Sequence, residues 1–561
     1  MEPLILAHPT MTATFRKGAI LALILAVTVV AAMDASFEGN LAYQSPFLNL
    51  PELAVQPAEH HKRHVLAKRD TPDVDVKFIH GAASGDPLAD RVILWTKVTP
   101  STTKFPVKVN YEVSADRTFA ADSIVKSGSV LTTDDVDWTV KVDVDGLKPQ
   151  TTYFYRFFAG NAISRVGRTK TLPTPDTPVD MVRVAAISCS SMPHGYFHAH
   201  ARIAEREDID LVLELGDYIY EHPESKPIKS GKLGGERAPQ PSYQTFTLSD
   251  YRTRHSQYKR DKDTQALHLA HPMASIADDH ETIDNASRDG APKHDPKTQG
   301  DWKVRMAAST RAYFEYMPIR NEVDKQQYRM YRTFRFGNMA DIIFADSRYD
   351  GRDLQAVGDI NKRKIMSDKQ EAWFHNELVS SKAKYRVIAN QVMFAPIPHK
   401  ILGYEIEITS DAWVGYPYNR NRLLNLMATK KLNDSLILTG DLHSSIASNI
   451  YSDSLPYNKE SGEGALMTEF VGPSVTSESS VFDNKVLSDM AGPVLKLVNK
   501  GAQWTDFYRH GYMVLQLTNE FARTEYWYVQ DIKKLDGGRE ILGVVLESKR
   551  GSNRITKKYS P

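Results

Sequence analysis

Several acidic, imidazole, thiol and phenol side chains of this chain stand directly after short apolar runs. The clearest case is DLVLELGDYIYE, residues 210–221, where an apolar-rich run leads straight into a glycine, an acid and two tyrosines. Similar runs end at Cys189, at the stretch DDHE (278–281), at Asp346 and at LTGDLHSS around Asp441. Carboxylate, thiolate, phenolate and imidazole groups bind metal ions, and arginine makes forked contacts with phosphate. These residue types therefore indicate metal or phosphate chemistry.

The apolar runs before these side chains are predicted to be buried β-strands. Longer amphipathic stretches such as SDKQEAWFHNELVSSKAK separate some of them, which is typical of an α/β sheet covered by helices. Ligands of open α/β sheets bind beyond the carboxyl ends of the strands, so side chains scattered in sequence can converge there. The predicted strands are VRVAAI (182–187), DLVLEL (210–215), PMASIA (272–277), DIIFA (341–345), YRVIAN (385–390) and SLILTG (435–440).

Each polar strand end also has an ordinary structural explanation. A Gly-Asp pair after a strand is usually a turn, and an isolated cysteine is more often a small buried apolar group. His280 by itself can be a surface residue. The coincidence of such groups at four strand ends favours a metal site over four unrelated turns.

Length and composition restrict the class of protein. A chain of 561 residues exceeds the size of a single hydrophobic core, so at least two domains are expected. Its 41% hydrophobic and 25% charged residues are typical of a soluble globular protein. Seventy basic against 69 acidic side chains give a net charge of +1, so nucleic-acid-specific binding is not predicted.

The N-terminal segment predicts export. Arg16 and Lys17 precede GAILALILAVTVVAA, an apolar run of about 15 residues that ends in small side chains, as secretory signals do. A bilayer span needs about 20 apolar residues. We therefore predict a signal peptide at 1–32 and no stable membrane span after its removal, with a retained signal anchor as the alternative. The expected location is secreted, outside the cell or at its surface.

The rest of the chain divides into four predicted regions. Residues 33–75 include the polar, basic HHKRHVLAKRDTPDVD and are predicted to be a propeptide or linker, with Lys68-Arg69 as a candidate processing site. Residues 76–174 alternate apolar and polar side chains in short runs, which predicts a small antiparallel β-sandwich. Residues 180–535 form the predicted catalytic domain, in which the polar stretch from about 221 to 267 is loop-like. Residues 536–561 are a predicted C-terminal tail.

The solitary cysteine bears on the metal hypothesis. With Cys189 as the one cysteine of the sequence, no intramolecular disulfide can form. A thiol in an exported protein is exposed to oxidation unless it is buried or bound to a metal. A metal at Cys189 would account for its presence.

Five ordered motifs resemble the alkaline phosphatase D (PhoD-like) family of metallophosphoesterases. They are SC after a strand, GDYIYE, DDHE, DAWVGYP followed by Arg420 and Arg422, and LTGDLHSS. The N-terminal HGAASGDPLADRVILWTKVTP is similar to the β-sandwich domain of that family, so the resemblance covers roughly residues 76–530. It implies an α/β fold, a metallophosphoesterase-like αββα sandwich preceded by an antiparallel β-sandwich, with a bimetal centre on its loops.

The resemblance also implies roles for individual residues. Asp217 would bridge two metals, His280 would lie beside the phosphate as a catalytic residue, and either Asn390 or Gln391 is a further candidate ligand of the second metal. Independently of the resemblance, arginine makes forked contacts with phosphate, so Arg348, with Arg420 and Arg422 as alternatives, is predicted to clamp the substrate as a catalytic residue. The implied ligands of the first metal are Cys189, Asp217, Tyr220 and His443, and those of the second are Asp217, Asp279 and Asp441.

Ligand chemistry suggests which metals these are. A thiolate, a phenolate and a carboxylate place up to three negative charges around the first metal, which suits Fe³⁺. The second set is nearly all oxygen and favours a hard cation, Ca²⁺ by family resemblance, with Mg²⁺ or Mn²⁺ as alternatives.

Together these features predict an exported, monomeric phosphoric-ester hydrolase. It is expected to cleave phosphomonoesters, phosphodiesters or both with water activated by the metals. One alternative is a non-catalytic extracellular module that binds a cation or a phosphorylated polymer, and another is a phosphodiesterase acting on cell walls or lipids. His280 and the pair of Asp217 and Asp279 favour an enzyme over the binding module.

Overall fold

A computed structural model describes residues 37, 39–44, 74–103, 106–223, 233, 237–320, 322–324, 327–355, 357–397, 400–401, 404–405, 410–479 and 485–560. The predicted signal peptide and nearly all of the predicted propeptide or linker lie outside these residues. Within the described ranges, no helix combines the length and the apolar character needed to cross a membrane.

The described residues form 28 strands. The first fourteen are β1 (Val76–Lys77), β2 (Ala82–Gly85), β3 (Val92–Lys97), β4 (Thr99–Pro100), β5 (Val107–Ser114), β6 (Ile124–Thr132), β7 (Thr139–Val144), β8 (Thr152–Ala159), β9 (Ala162–Ile163), β10 (Gly167–Lys170), β11 (Met181–Ile187), β12 (Leu211–Glu214), β13 (Met273–Ser275) and β14 (Glu322–Asp324). The others are β15 (Gln327–Arg329), β16 (Arg332–Phe336), β17 (Ala340–Phe344), β18 (Tyr385–Asn390), β19 (Lys400–Ile401), β20 (Tyr404–Glu405), β21 (Ser435–Thr439), β22 (Ser445–Ile450), β23 (Met467–Val471), β24 (Ala502–Asp506), β25 (Gly511–Thr518), β26 (Phe521–Val529), β27 (Glu540–Lys549) and β28 (Lys557–Tyr559).

Helices connect or cover these strands. The α-helices among the described residues are α1 (His198–Ala204), α2 (Leu248–Lys259), α3 (Lys262–Ala270), α4 (Pro296–Gln299), α5 (Trp302–Tyr316), α6 (Asp368–Ser380), α7 (Pro417–Lys430) and α8 (Lys485–Val498). Short 3₁₀ helices lie at Leu41–Tyr43, Asp134–Val136, Met192–His194, Asp279–Glu281, Ile360–Lys362 and Trp413–Gly415.

Two large sheets carry the catalytic region. The first has the order β28-β27-β26-β25-β11-β12-β13-β2-β3-β7, and its central strands β11, β12 and β13 run parallel. The second has the order β16-β17-β18-β21-β23-β22-β24, with β17, β18, β21 and β23 parallel. Parallel strands end at the same edge of their sheet, so each sheet presents a row of loops at one edge.

Side chains of the second sheet alternate between two cores. Ile342 and Phe344 of β17 join the main core with Val184 of β11, whereas Ile343 between them joins a core with Phe374 of α6. Successive side chains of a strand point to opposite faces, so one face of this sheet meets the first sheet and the other meets helices. The predicted α/β sandwich is confirmed.

The N-terminal region is β-rich and shares a sheet with the catalytic region. A five-stranded sheet of order β10-β8-β5-β6, with β9 beside β8, packs through Val109 and Phe157 on Leu94 of β3 and Val142 of β7. Strands β2, β3 and β7 belong to the first large sheet, where Gly85 of β2 pairs with Met273 of β13. The domain boundaries proposed from the sequence stay predictions.

Part of the stretch that the sequence describes as loop-like is helical. Helix α2 begins with a capping box in which Thr247 and Asp250 bond each other's backbone N–H, and α3 follows directly. The prediction was wrong here because α2 buries polar and aromatic groups. Its Arg254, for example, donates to the carbonyls of Gln240 and Pro241, both at 2.9 Å.

The predicted C-terminal tail contains two strands of the first sheet. Strand β27 pairs antiparallel with β26 over nearly its whole length, and β28 pairs with β27. Val544 and Leu546 of β27 are fully buried in the main core. This segment is therefore part of the folded sheet and not an appended tail.

Truncation of Leu546 tests this correction. Leu546→Ala should lower the free energy of unfolding by about 2–5 kcal/mol, because it leaves a cavity in the main core. Ile541→Ala in the same strand, where the side chain is 50% exposed, should change it by no more than about 0.5 kcal/mol. Urea unfolding of both variants measures the difference, and equal small effects would contradict the burial of β27.

Candidate metal centre

The strand-end side chains that the sequence singles out lie at the adjoining edges of the two sheets. Cys189 follows β11, Asp217 follows β12 and the stretch 278–281 follows β13 in the first sheet. Asp441 and His443 follow β21 in the second sheet. Backbone bonds tie neighbouring loops together, since the Cys189 N–H donates to the Gly216 carbonyl at 3.1 Å and the Ser190 N–H to the Asp217 carbonyl at 2.9 Å.

One set of groups combines sulfur, oxygen and nitrogen. A ligand atom of each of Cys189, Asp217 and His443 lies within 4.8 Å of the other two. The Tyr220 hydroxyl lies 3.0 Å from Asp217 Oδ2 and 3.0 Å from His443 Nε2. Four of the predicted ligands therefore surround one point, and the set offers the thiolate, phenolate, carboxylate and imidazole donors that transition metals bind.

A second set consists of carboxylates alone. Oxygens of Asp278, Asp279 and Asp441 lie within 4.8 Å of one another, and Asp279 also belongs to a group with Asp217 and His280. Among the described residues, none donates a hydrogen bond to Asp278 Oδ2, Asp279 Oδ1 or Asp441 Oδ2, although all three oxygens are buried, and Arg348 Nη2 approaches Asp279 Oδ1 only to 3.5 Å. Buried carboxylate oxygens without donors are costly unless a cation compensates them, so the second set fits a hard metal ion.

The backbone at four of these residues is strained. Cys189, Asp217, Asp441 and His443 have φ values of 62°, 58°, 62° and 56°, in the left-handed region that non-glycine residues seldom adopt. Such conformations persist where the surroundings impose them, and they concentrate at functional sites. Gly216 has a φ of 112°, and a Cβ there would lie 2.3 Å from Asp278 Cβ, so only glycine fits between the two loops.

Glu281 holds the loops after β12 and β13 in register. Its buried carboxylate accepts hydrogen bonds from the N–H groups of Asp217 at 3.1 Å, Tyr218 at 2.6 Å and Asp278 at 2.7 Å. These bonds place Asp217 opposite Asp278 and Asp279. Glu281 thereby positions both ligand sets without belonging to either.

The loop after β23 orients two groups of the first set. The Glu478 carbonyl lies 2.7 Å from His443 Nδ1, so a proton on Nδ1 leaves the Nε2 lone pair toward Tyr220 and Asp217. The Ser477 hydroxyl donates to the Tyr220 oxygen at 2.6 Å. Both contacts aim their partners at the shared point.

His280 lies at the edge of the site in a pair with Glu221. Its Nδ1 is 2.7 Å from Glu221 Oε2, and its ring centroid is 4.3 Å from that of Tyr220. Burial alone would lower the pKa of His280, but the carboxylates of Glu221 and Asp217 outweigh burial and raise it well above the usual value. Burial would likewise raise the pKa of Glu221, and His280 reverses this and lowers it to about 2.

Arg348 lies beneath the carboxylate set. It is fully buried, donates through Nε to Asp278, contacts Asp411 Oδ1 with Nη1 at 2.7 Å and reaches Asp441 Oδ1 with Nη2 at 3.2 Å. Its Nη2 also lies 3.5 Å from Asp279 Oδ1, so the guanidinium opposes four acidic charges and fixes their positions.

Other residues considered from the sequence make contacts outside the two sets. The Gln391 amide bonds Ser347 and the Ala277 carbonyl, and Asn390 Oδ1 accepts from Trp413 Nε1 at 3.1 Å. Asp346 caps its own turn by accepting the N–H groups of residues 348 and 349. Arg420 Nε donates to the Phe394 carbonyl, and the half-exposed Arg422 pairs with Glu371.

Without a cation these groups resist ionisation. Burial raises the pKa of the Cys189 thiol and of the Tyr220 phenol well above their usual values, and the Asp217 charge raises both further. Burial and the neighbouring Asp278 raise the pKa of Asp441. A bound cation reverses this balance, because it stabilises the thiolate, phenolate and carboxylate forms.

Several residues of the site, Ser477 among them, received no role from the sequence. Asp278, Glu221 and Glu281 stand inside the quoted motifs, and Asp411 begins DAWVGYP, so motif membership was the available signal. Glu478 contributes a backbone carbonyl, which no residue type reveals. Their partners are distant in sequence, so their roles follow only from the fold.

Two models of known protein families match this chain. The model of the PhoD-like phosphatase family matches residues 184–526, and that of the PhoD-like phosphatase N-terminal domain matches residues 65–173. The first match spans both ligand sets, and the second spans most of the N-terminal β-rich region.

Individual relatives agree with these matches. Alkaline phosphatase D of Bacillus subtilis (strain 168) is 37% identical to this chain over 470 residues, which are 80% of this chain and 77% of the relative. The solved structure of PhoD superimposes with a TM-score of 0.76 at 33% identity, covering 86% of this chain and 92% of its own.

The metal content of variants tests the two ligand sets. Asp217→Asn should remove both metals because Asp217 adjoins both sets, whereas Cys189→Ser should remove only the first and Asp441→Asn only the second. Elemental analysis of the purified full chain measures this. Asp289→Asn changes an exposed carboxylate that pairs with Arg288, and this variant should keep both metals. Full metal content in Asp217→Asn would contradict the bridging position.

Proposed function

Since the chain belongs to the PhoD-like phosphatase family and is a phosphoric-ester hydrolase, we propose that it cleaves its substrates at the two adjoining ligand sets. The observation that carries this proposal is a group of three buried carboxylate oxygens, of Asp278, Asp279 and Asp441, that accept no hydrogen bond from the described residues and lie beside the Cys189, Asp217, Tyr220 and His443 set. Such an arrangement favours two neighbouring cations, to which a phosphate ester can bind.

The two sets are suited to different metals. We assign Fe³⁺ to the set of Cys189, Asp217, Tyr220 and His443, because its anionic sulfur and oxygen donors compensate a trivalent charge. We assign Ca²⁺ to the carboxylate set, which offers the oxygen ligands of a hard cation, with Mg²⁺ or Mn²⁺ as alternatives. When bound, these metals supply Lewis-acid activation of water and compensation of phosphate charge.

Asp217 and His280 have separate roles in the proposed reaction. Asp217 lies between the sets and keeps them at a fixed separation. His280 is held by Glu221 through Nδ1, which leaves Nε2 for a proton transfer to the leaving oxygen of the ester. The contact with the Glu221 carboxylate favours the protonated imidazole, as a proton donor requires.

For Arg348 the geometry favours a positioning role over the direct substrate contact inferred from the sequence. The side chain is fully buried, and its three nitrogens all contact Asp278, Asp411 or Asp441. A buried guanidinium that opposes several carboxylates holds them close together where they would otherwise repel one another. Arg348 then supports metal binding and does not contribute directly to phosphate affinity.

The location and assembly of the enzyme remain proposals from the sequence. The charged and apolar segment at residues 1–32 supports export through a secretory route, so phosphate esters outside the cell or at its surface are the expected substrates. We further propose that the chain acts as a monomer.

The first test is hydrolysis of para-nitrophenyl phosphate and its bis-ester. The protein loaded with iron and calcium should release para-nitrophenol from one or both, and Asp217→Asn should lower kcat/KM by at least about 10³-fold, because the variant loses its metal charges. Asp289→Asn serves as the control with unaltered metals. A wild-type protein that retains both metals but cleaves neither ester would favour the binding-module alternative.

The role of His280 is tested by the leaving group. His280→Asn should lower kcat by about 10²–10⁴-fold for an alkyl phosphate, whose leaving oxygen needs a proton, and much less for para-nitrophenyl phosphate. His222→Asn changes a neighbouring imidazole, 5.7 Å from His280 between ring centroids, and should leave this difference intact. Equal losses on both substrates in His280→Asn would contradict proton donation.

A further inference from the structure

Helix α8 carries apolar side chains on two opposite faces. Ala491 and Leu495 are buried against the seven-stranded sheet, where Gly492 allows close approach to Thr505 of β24. Met490 and Leu497 are 53% and 76% exposed. Large apolar side chains on the exposed face of a helix indicate that this face contacts another apolar surface.

The exposed side chains form a regular stripe. Val486, Met490, Pro493 and Leu497 follow the spacing of four, three and four residues that aligns side chains along one helix face. Val486 is 67% exposed, and Val498 at the helix end is 58% exposed. At 100° per residue the stripe lies directly opposite Ala491 and Leu495. We call Val486, Met490, Pro493 and Leu497 the α8 stripe.

Lysines border the α8 stripe. Residues 485–500 contain Lys485, Lys496 and Lys500 against the single acid Asp489. The C-terminal strand β28 adds the exposed Lys557 and Lys558, and the positive charge of Lys558 acts on Lys496. Lys485 pairs with Asp489 at 2.7 Å and Lys557 with Glu547 at 3.3 Å. Lys496, Lys500 and Lys558 therefore supply the positive charge that borders the α8 stripe.

This combination fits a lipid surface better than a protein partner. Exposed aliphatic side chains bordered by lysines are typical of helices that lie in the interface of anionic membranes. Hot spots of protein interfaces are rich in tryptophan, tyrosine and arginine, and residues 485–500 contain none of these. A second copy of the chain would bring like-charged lysines together, which disfavours self-association through this face.

We propose that the α8 stripe and its bordering lysines bind the surface of an anionic membrane, with the helix lying parallel to the bilayer. The aliphatic side chains enter the boundary between headgroups and acyl chains, and the lysines contact lipid phosphates. The contact does not depend on the catalytic site, and it would concentrate the enzyme near phosphate esters at a membrane.

Vesicle co-sedimentation of the full-length, metal-loaded protein tests the proposal. The protein should bind phosphatidylglycerol vesicles more tightly than phosphatidylcholine vesicles. Met490→Ser/Leu497→Ser should weaken binding to phosphatidylglycerol by about tenfold or more through lost apolar burial. Lys496→Gln/Lys558→Gln should weaken it by about fivefold for each lysine and leave binding to phosphatidylcholine unchanged.

A variant outside α8 and an activity assay serve as controls for the vesicle experiment. Ile163→Ser/Leu535→Ser removes apolar side chains that are 62% and 63% exposed outside α8, and this variant should bind vesicles as the wild type does. Every variant should hydrolyse whichever para-nitrophenyl ester the wild type cleaves at the wild-type rate, which verifies folding. Absence of wild-type binding, or equal weakening in the control pair, overturns the proposal. So does a concentration-dependent dimer in sedimentation velocity that only Met490→Ser/Leu497→Ser abolishes.

Discussion

The catalytic region depends on the compensation of carboxylates that are buried close together. Asp217, Asp278, Asp279 and Asp441 meet where two sheet edges adjoin, and each loses water that would stabilise its charge. Arg348 forms ion pairs that oppose part of this charge. Buried oxygens on three of the four acids still accept no hydrogen bond from the described residues. The site is therefore built to hold cations, and its remaining features keep the acids in place until cations bind.

The backbone that positions the side chains of this site is strained, and neighbouring segments of the fold hold it in that conformation. Left-handed backbone at Cys189, Asp217, Asp441 and His443 turns each side chain toward the centre immediately after its strand ends. Glu281 fixes two of the loops through backbone N–H groups, and the parallel strands below fix where those loops begin. A flexible loop bearing the same residues would separate the like charges.

The mixed ligand set and the carboxylate set each draw residues from both sheets. The first sheet supplies Cys189, Asp217, Tyr220, Asp278 and Asp279, and the second supplies Asp441 and His443. Each candidate ligand set is completed only when both sheets are packed face to face. Any cation bound there would couple to folding of the sandwich, since neither set exists in the unfolded chain.

The sequence by itself determined the strands and the chemically capable residues at their ends, because burial periodicity and motif spacing are local properties. It predicted the metal candidates Cys189, Asp217, Tyr220, Asp279, Asp441 and His443, which the fold brings together. Tertiary structure alone decided that Arg348 opposes carboxylates, that Glu281 and the Glu478 carbonyl position ligands, and that residues 540–549 extend the sheet. These facts depend on contacts between segments distant in the chain, which no local pattern of residues encodes.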